Sequence, residues 1–376
     1  MKIPDFALER YFARYEFTTP FQLSASDVES LGVAELLELA DPEARALWSS
    51  LRLGYTESQG HPALRAAIAS LYERVAAEDV LVFSGAEEAI FAFHSVVLGA
   101  GQHAVVTWPA YQSLFEVARA TGAEVTLLPL RHEDGWAFHP EALLAAFRET
   151  TRVVVLNFPH NPTGALPGKR AFEQAVAVAE ERGAWLFSDE VYRWSERDEA
   201  DRLPAAVDVS PCGVSLGVMS KSFGLPGLRI GWIATRDRGL IERLAAYKDY
   251  LTICASAPSE ILTLVALRSR DRILTRNRAL LASNLARLSE FFAQRHETFE
   301  WVPPRAGSIA FPRLRGDQPV ERFTSRLREV EGVLLLPGVL FGHAGNHFRI
   351  GFGRRDFPTA LERLERFADH ELTGQP

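Results

Sequence analysis

Lysine is rare in this chain: Lys2, Lys169, Lys221 and Lys248 are the only ones, and arginine supplies the rest of the 41 basic residues. Lys221 sits in Met219-Ser220-Lys221-Ser222-Phe223-Gly224, among small and apolar residues, with Arg229 eight positions on. An amine can lose its proton and attack a carbonyl, whereas a guanidinium stays charged and cannot. The segment alone also suits a lysine that merely caps a strand end.

Four further stretches carry residue types that could serve such an amine. Ser84-Gly85-Ala86-Glu87 follows an apolar run and opens a helical pattern, so its backbone N–H groups suit an anion; Ser84 as a plain N-cap explains it equally. Trp108-Pro109-Ala110-Tyr111 holds an aromatic ring beside a proline, either a stacking platform or core. Asn157-Phe158-Pro159-His160-Asn161-Pro162-Thr163-Gly164 fixes a loop with two prolines while presenting the Asn161 amide. Ser188-Asp189-Glu190-Val191-Tyr192 puts an acid at the end of an apolar run, where a buried carboxylate needs a cation unless it caps a helix.

Lys221 and Arg229 complete the set, Arg229 as a cation suited to bidentate contact with phosphate and Ser220 as a hydroxyl for the same anion. Together these groups offer an anion cradle, a stacking ring, a donor for a phenolate, an acid for a pyridinium and an amine for an aldehyde. Those are the requirements of pyridoxal 5'-phosphate.

The elements that must position these groups are legible as alternating patterns. Apolar runs at Val80–Phe83, Ala104–Thr107, Glu124–Leu128, Val153–Leu156, Trp185–Ser188, Val214–Val218 and Ile230–Thr235 read as buried strands. Helical patterns at Glu87–Leu98, Gln112–Thr121, Pro140–Glu149 and Gly168–Arg182 fall between them. This alternation predicts an α/β fold with a mainly parallel central sheet covered by helices, and ligands gather at the carboxyl ends of such strands. A helical pattern at Ala63–Val75 precedes the sheet, and after Asp237 helices dominate until short strand-like pieces return, a smaller α+β unit. The aromatic residues of the first forty positions read as packing.

The 376 residues, 47% of them hydrophobic, suffice for one large unit with a smaller companion. A net charge of -7 with interspersed signs argues against a nucleic-acid partner. Cys212 and Cys254 form neither a disulfide framework nor a metal-ligand spacing, so no metal is expected. No uninterrupted apolar stretch is long enough for a membrane span, and the first residues lack the pattern of a signal peptide, which leads to the expectation of a cytoplasmic enzyme.

With these motifs in this order, the chain resembles the class I/II aminotransferases, the fold-type I pyridoxal-phosphate enzymes typified by aspartate aminotransferase. Asn161-Pro162-Thr163-Gly164, Ser188-Asp189-Glu190-Val191-Tyr192 and the Ser220-Lys221 pair followed by Arg229-Ile230-Gly231 carry the resemblance, which runs from Gly54-Tyr55 to Arg349. The resemblance implies that Lys221 binds the cofactor as a Schiff base and that Asp189 pairs with the ring nitrogen. It implies further that Asn161 and Tyr192 hydrogen-bond the phenolic oxygen, that Tyr111 stacks on the ring, and that Gly85, Ala86, Ser220 and Arg229 hold the phosphate. By the same resemblance Arg349 binds the substrate α-carboxylate, with Arg354 and Arg355 as nearby competitors, and Tyr55 reaches the phosphate of a neighbouring subunit in a homodimer. A large cofactor-binding domain over 41–270 and a small domain built from 1–40 and 271–376 are also implied. Val218 departs from the pattern, standing where many relatives carry Ser or Thr.

The expected activity is transfer of an amino group between an α-amino acid and a 2-keto acid. The same scaffold also carries carbon–sulfur lyases and cyclising synthases. The Leu23-Ser24-Ala25-Ser26-Asp27 and Lys248-Asp249-Tyr250-Leu251-Thr252 segments resemble capreomycidine-synthase-like members, which cyclise a modified arginine, and a lyase or cyclising synthase is therefore the alternative.

Overall fold

The computed structural model describes residues 2–372. Seven strands form the central sheet: β1 (Val80–Phe83), β2 (His103–Trp108), β3 (Glu124–Pro129), β4 (Thr151–Asn157), β5 (Trp185–Asp189), β6 (Gly213–Val218) and β7 (Gly231–Thr235). Their spatial order is β1-β7-β6-β5-β4-β2-β3. β7 runs antiparallel to both its neighbours, and the other pairs are parallel. The sheet is thus α/β and mainly parallel, and each expected run became a strand within one or two residues of its predicted ends.

Burial on both faces explains why the inner strands read as nearly unbroken apolar runs, whereas β3, at the edge, is mostly part-exposed. Leu81, Phe83, Val106, Val155 and Phe187 point to one cluster, and Val105, Val154, Leu156 and Leu186 to another on the opposite face. Three further elements border the carboxyl ends of the strands: helix α1 (Ala7–Tyr15), helix α2 (Ala86–Val97) and strand β8 (Phe348–Gly351). β8 lies between the two-residue strands Ile309–Ala310 and Leu336–Pro337, antiparallel to both.

A separate core gathers Leu23 and Val28 with residues from Leu281 to Ala368, so the N-terminal stretch packs with the C-terminal third. The strand Phe21–Gln22 pairs in parallel with Val333–Leu334, which ties the two stretches by backbone hydrogen bonds.

Tyr11, Phe12 and Phe21 of the N-terminal stretch pack against core clusters as expected, and the stretch also contains α1, whose nine residues are too short for its period to stand out. One local expectation is corrected. The helix expected over Ala63–Val75 ends at Ala69, because the Glu73 and Arg74 N–H groups turn away to the Asp208 carboxylate, each at 2.9 Å. Among the described residues no helix is long and apolar enough to cross a membrane, and no cluster of His, Cys, Asp and Glu has metal-holding geometry.

Candidate active site

Parallel register sets the first two groups. Asn157 and Asp189 are the last residues of β4 and β5 and stand opposite each other in the sheet. Asn157 Nδ2 donates to the Asp189 carbonyl at 3.2 Å, while its Oδ1 accepts the Asn161 N–H at 2.8 Å. The proline-bounded loop is therefore pinned to the strand ends, and Asn161 is carried to the mouth of the sheet. Asn161 Oδ1 in turn accepts from Arg349 Nη1 at 3.1 Å, and Arg349 Nη2 donates to the Ser24 carbonyl at 2.9 Å. β8 thereby delivers a buried guanidinium whose Nε has no hydrogen-bond partner among the described residues.

These groups line one cavity of about 690 Å3, together with Ala86, Tyr111, Tyr192, Ser220, Lys221 and Arg229. Lys221 borders the open space, and burial is the main cause of its lowered pKa; its Nζ donates to Ser26 Oγ at 2.8 Å. Asp189 is buried, which pushes its carboxyl up to about 7. Among the described residues that carboxylate meets the Val191 N–H at 3.3 Å and no cation within ion-pair distance. A turn follows Asp189, so it caps no helix. Tyr192 is buried, its hydroxyl donates to the Ser26 carbonyl at 3.1 Å, and burial raises its pKa.

Helix α2 begins at Ala86, directly on the cavity wall. Ser84 does not cap it: the N-cap position is Gly85, at φ 92°, and no side chain caps the helix. The positive φ favours glycine there, and a Cβ would stand 2.6 Å from Arg229 Nη2, so any larger residue would displace the guanidinium. Arg229 itself has φ 51°, in the left-handed region that non-glycine residues adopt reluctantly, and the Arg229 N–H donates to the Pro226 carbonyl at 3.2 Å. Gly85 stands behind the Arg229 head while Ala86, Ser220 and Arg229 reach the wall. An α-helix N-terminus, a hydroxyl and a guanidinium thus converge as an anion cradle.

Tyr111 lines the cavity with its hydroxyl donating to Glu9 Oε1 at 3.2 Å and its ring 5.0 Å from Phe6. Tyr55 stands apart from the other expected residues. It is 89% exposed and forms no part of this cavity. Arg354, a competitor of Arg349, also borders the cavity, but its Nη2 is held by both Asp27 carboxylate oxygens at 3.0 Å.

Several cavity residues gave no functional signal in the sequence. Glu9, Phe12 and Glu16 share one face of α1 and its end, at the i, i+3, i+7 spacing that a helical reading would have exposed. Glu87, in the first turn of α2, accepts from Ser113 Oγ at 3.0 Å, and burial raises its carboxyl to about 7. Ser26 stood out only as part of a segment; nothing local announces a contact with a lysine 195 positions away.

The residues fit pyridoxal phosphate on their own chemistry. A buried carboxylate without a cation suits a protonated ring nitrogen, the cradle at α2 suits a phosphate, and the Lys221 amine suits an aldehyde.

Comparison with known proteins agrees. The family model for aminotransferase class I and II matches residues 20–364, and the chain belongs to that family. It is a fold-type I enzyme that depends on pyridoxal phosphate. Among similar proteins, the capreomycidine synthase of Streptomyces vinaceus is 32% identical over 352 residues, covering 93% of this chain and 90% of that one. The arginine–pyruvate transaminase AruH of Pseudomonas aeruginosa is 29% identical, over 90% of this chain and 91% of that one. A PLP-dependent aminotransferase from Streptococcus suis superposes with a TM-score of 0.92 at 32% identity, with 98% of each chain covered. The PLP-dependent cyclase OrfR superposes with a TM-score of 0.90 at 31% identity, over 99% of this chain and 98% of that one.

Proposed function

We propose that this protein transfers an amino group between an α-amino acid and a 2-keto acid, with Lys221 as the residue that holds the cofactor and then moves a proton at the substrate Cα. The observation that carries the reading is the placement of Lys221, Asp189 and Arg349 around one cavity. When bound, pyridoxal phosphate supplies an aldehyde that receives the amino group and a ring that withdraws electrons from it.

The chain's own residues do the rest. Arg349, which borders the cavity, binds the substrate carboxylate, with Asn161 and the Ser24 carbonyl holding the guanidinium in place. Asp189 would keep the ring nitrogen protonated, Asn161 would donate to the phenolic oxygen, and Tyr192 would donate to it by turning its hydroxyl away from the Ser26 carbonyl. Gly85, Ala86, Ser220 and Arg229 hold the phosphate, and Tyr111 covers the ring. Once its amine is free, Lys221 would take the Cα proton as a base and deliver it, as an acid, to the carbon that came from the cofactor's aldehyde; its lowered pKa favours the neutral amine for the first task.

Other residues that line the cavity favour a substrate with a basic side chain. Glu9 and Glu16 face the cavity, and burial, then the neighbouring Asp27 and Glu9 carboxylates, raise the Glu16 pKa. A guanidinium or ammonium there would relieve the repulsion. The transaminase relative is named for arginine, which agrees with this choice.

A cyclising reaction on the same site is the second reading, favoured by the likeness to capreomycidine synthase and to the cyclase OrfR. The experiment that separates the two incubates holoenzyme with a panel of amino acids, with and without pyruvate. Amino transfer gives a keto acid and a new amino acid in equal amounts and requires the acceptor for turnover. A rearranged product formed without acceptor overturns it in favour of cyclisation. Arginine or ornithine should outperform glutamate, and Glu16→Gln should narrow that gap about tenfold in kcat/KM.

The assembly belongs to the same proposal. Two copies would form a cytoplasmic homodimer in which Tyr55, exposed beside the 88%-exposed Leu53, reaches the neighbour's phosphate. Each chain would divide into a large domain over 41–270 and a small domain from 1–40 and 271–376, a division supported by the core that Leu23 and Val28 share with the C-terminal third.

A further inference from the structure

We propose that Ser26 is a positioning residue for the Lys221 amine, fixing where its lone pair points when the amine is free. The inference rests on the reading of Lys221 as the proton carrier.

Ser26 touches the site twice. Its Oγ accepts from Lys221 Nζ at 2.8 Å, and its carbonyl accepts the hydroxyls of Tyr192, at 3.1 Å, and Ser308, at 2.7 Å. An amine at the end of four methylenes is a poor base unless something restricts it, since a freely rotating lone pair rarely faces the proton it must take. A hydrogen bond to a fixed oxygen removes much of that freedom.

The oxygen is fixed because the strap that carries it is clamped on both sides. The Gly351 N–H donates to the Leu23 carbonyl at 2.7 Å, and the Glu29 N–H donates to the Gly353 carbonyl at 2.8 Å. Both glycines allow contact that no other residue permits: a Cβ on Gly351 would stand 1.8 Å from the Ala25 carbonyl oxygen, and one on Gly353 would stand 2.2 Å from that of Asp27. The chain on either side of Ser26 therefore lies against the backbone at and just beyond the end of β8. Asp27, the carboxylate that acts most strongly on the amine, is paired with Arg354, which leaves the Ser26 hydroxyl as the direct partner of Lys221.

The proton balance is simple. The neutral amine donates one N–H to Ser26 Oγ and keeps its lone pair for the Cα proton. After the transfer, the ammonium still donates to the same oxygen, more strongly because it is charged. Ser26 gains and loses no proton.

The test compares Ser26→Ala and Ser26→Thr with the parent in two assays. One is the wash-out of deuterium from the Cα of a labelled amino acid by the holoenzyme, which needs Lys221 but no completed amino transfer. The other is the rate at which the cofactor-free chain takes up pyridoxal phosphate, followed by absorbance, which reads the nucleophilicity of the amine. Ser26→Ala should slow both about tenfold, with KM, final cofactor stoichiometry and thermal midpoint unchanged, and Ser26→Thr should recover to within about threefold of the parent. Unchanged rates in Ser26→Ala overturn the proposal. So does a slowing matched by equal loss of bound cofactor or of stability, which would mark a packing role. Deuterium wash-out without keto acid formation counts against amino transfer and leaves Ser26 standing.

Discussion

Asp189 and Arg349 show how burial turns ordinary side chains into reagents. Asp189 has an ordinary carboxyl value of 3.8 that burial pushes up to about 7. Its folded value lies above its unfolded one, so between the two the native chain keeps a proton that the unfolded chain releases. The resulting stability is fully present below the unfolded value and is lost as pH rises through about 7. In the cofactor-free protein, the thermal midpoint of the parent relative to Asp189→Asn should therefore fall between about pH 5 and about pH 8. Saturating pyridoxal phosphate should abolish that fall, because a ring cation then pairs with the carboxylate. Differential scanning fluorimetry at both pH values checks this. Arg349→Ala should raise KM for carboxylated amino acids by about 10–100-fold while leaving cofactor binding intact, as read by steady-state kinetics and absorbance. Lys221, Asp189 and Asn161 were legible in the sequence because each is an unusual residue type beside a strand end. Ser26, Glu9 and Glu87 were not, because an ordinary serine or glutamate becomes informative only when the fold brings distant segments together.

At the level of elements, the sheet was readable because burial on both faces leaves a nearly pure apolar run, as in Val153-Val154-Val155-Leu156. The two-residue strands near the C-terminus were legible only as short strand-like pieces, and their pairing with β8 rests on tertiary contact. The end of the helix at Ala69 was equally hidden, since it depends on Asp208, far along the chain. The strap around Ser26 gives a prediction at this scale. A methyl group at Gly351 would collide with the Ala25 carbonyl 1.8 Å away, so the strap or the end of β8 must shift. Gly351→Ala should lower stability by about 2–3 kcal/mol in urea unfolding, with catalytic loss beyond what the remaining folded fraction explains.

The whole molecule is where a second copy enters. Tyr55 is exposed, and its proposed target lies across an interface, so its role is testable by mixing subunits. Lys221→Ala and Tyr55→Phe proteins, each impaired alone, should recover about a quarter of parental activity after subunit exchange, because half the dimers are hybrids with one intact site. No recovery would place Tyr55 outside the neighbour's site. Every role proposed for these residues depends on the cofactor's attachment to Lys221. Reduction of the yellow holoenzyme with borohydride, followed by proteolysis and mass spectrometry, should place a single pyridoxyl phosphate adduct on Lys221. An adduct on Lys248, Lys169 or Lys2 with none on Lys221, or no adduct at all, would contradict it.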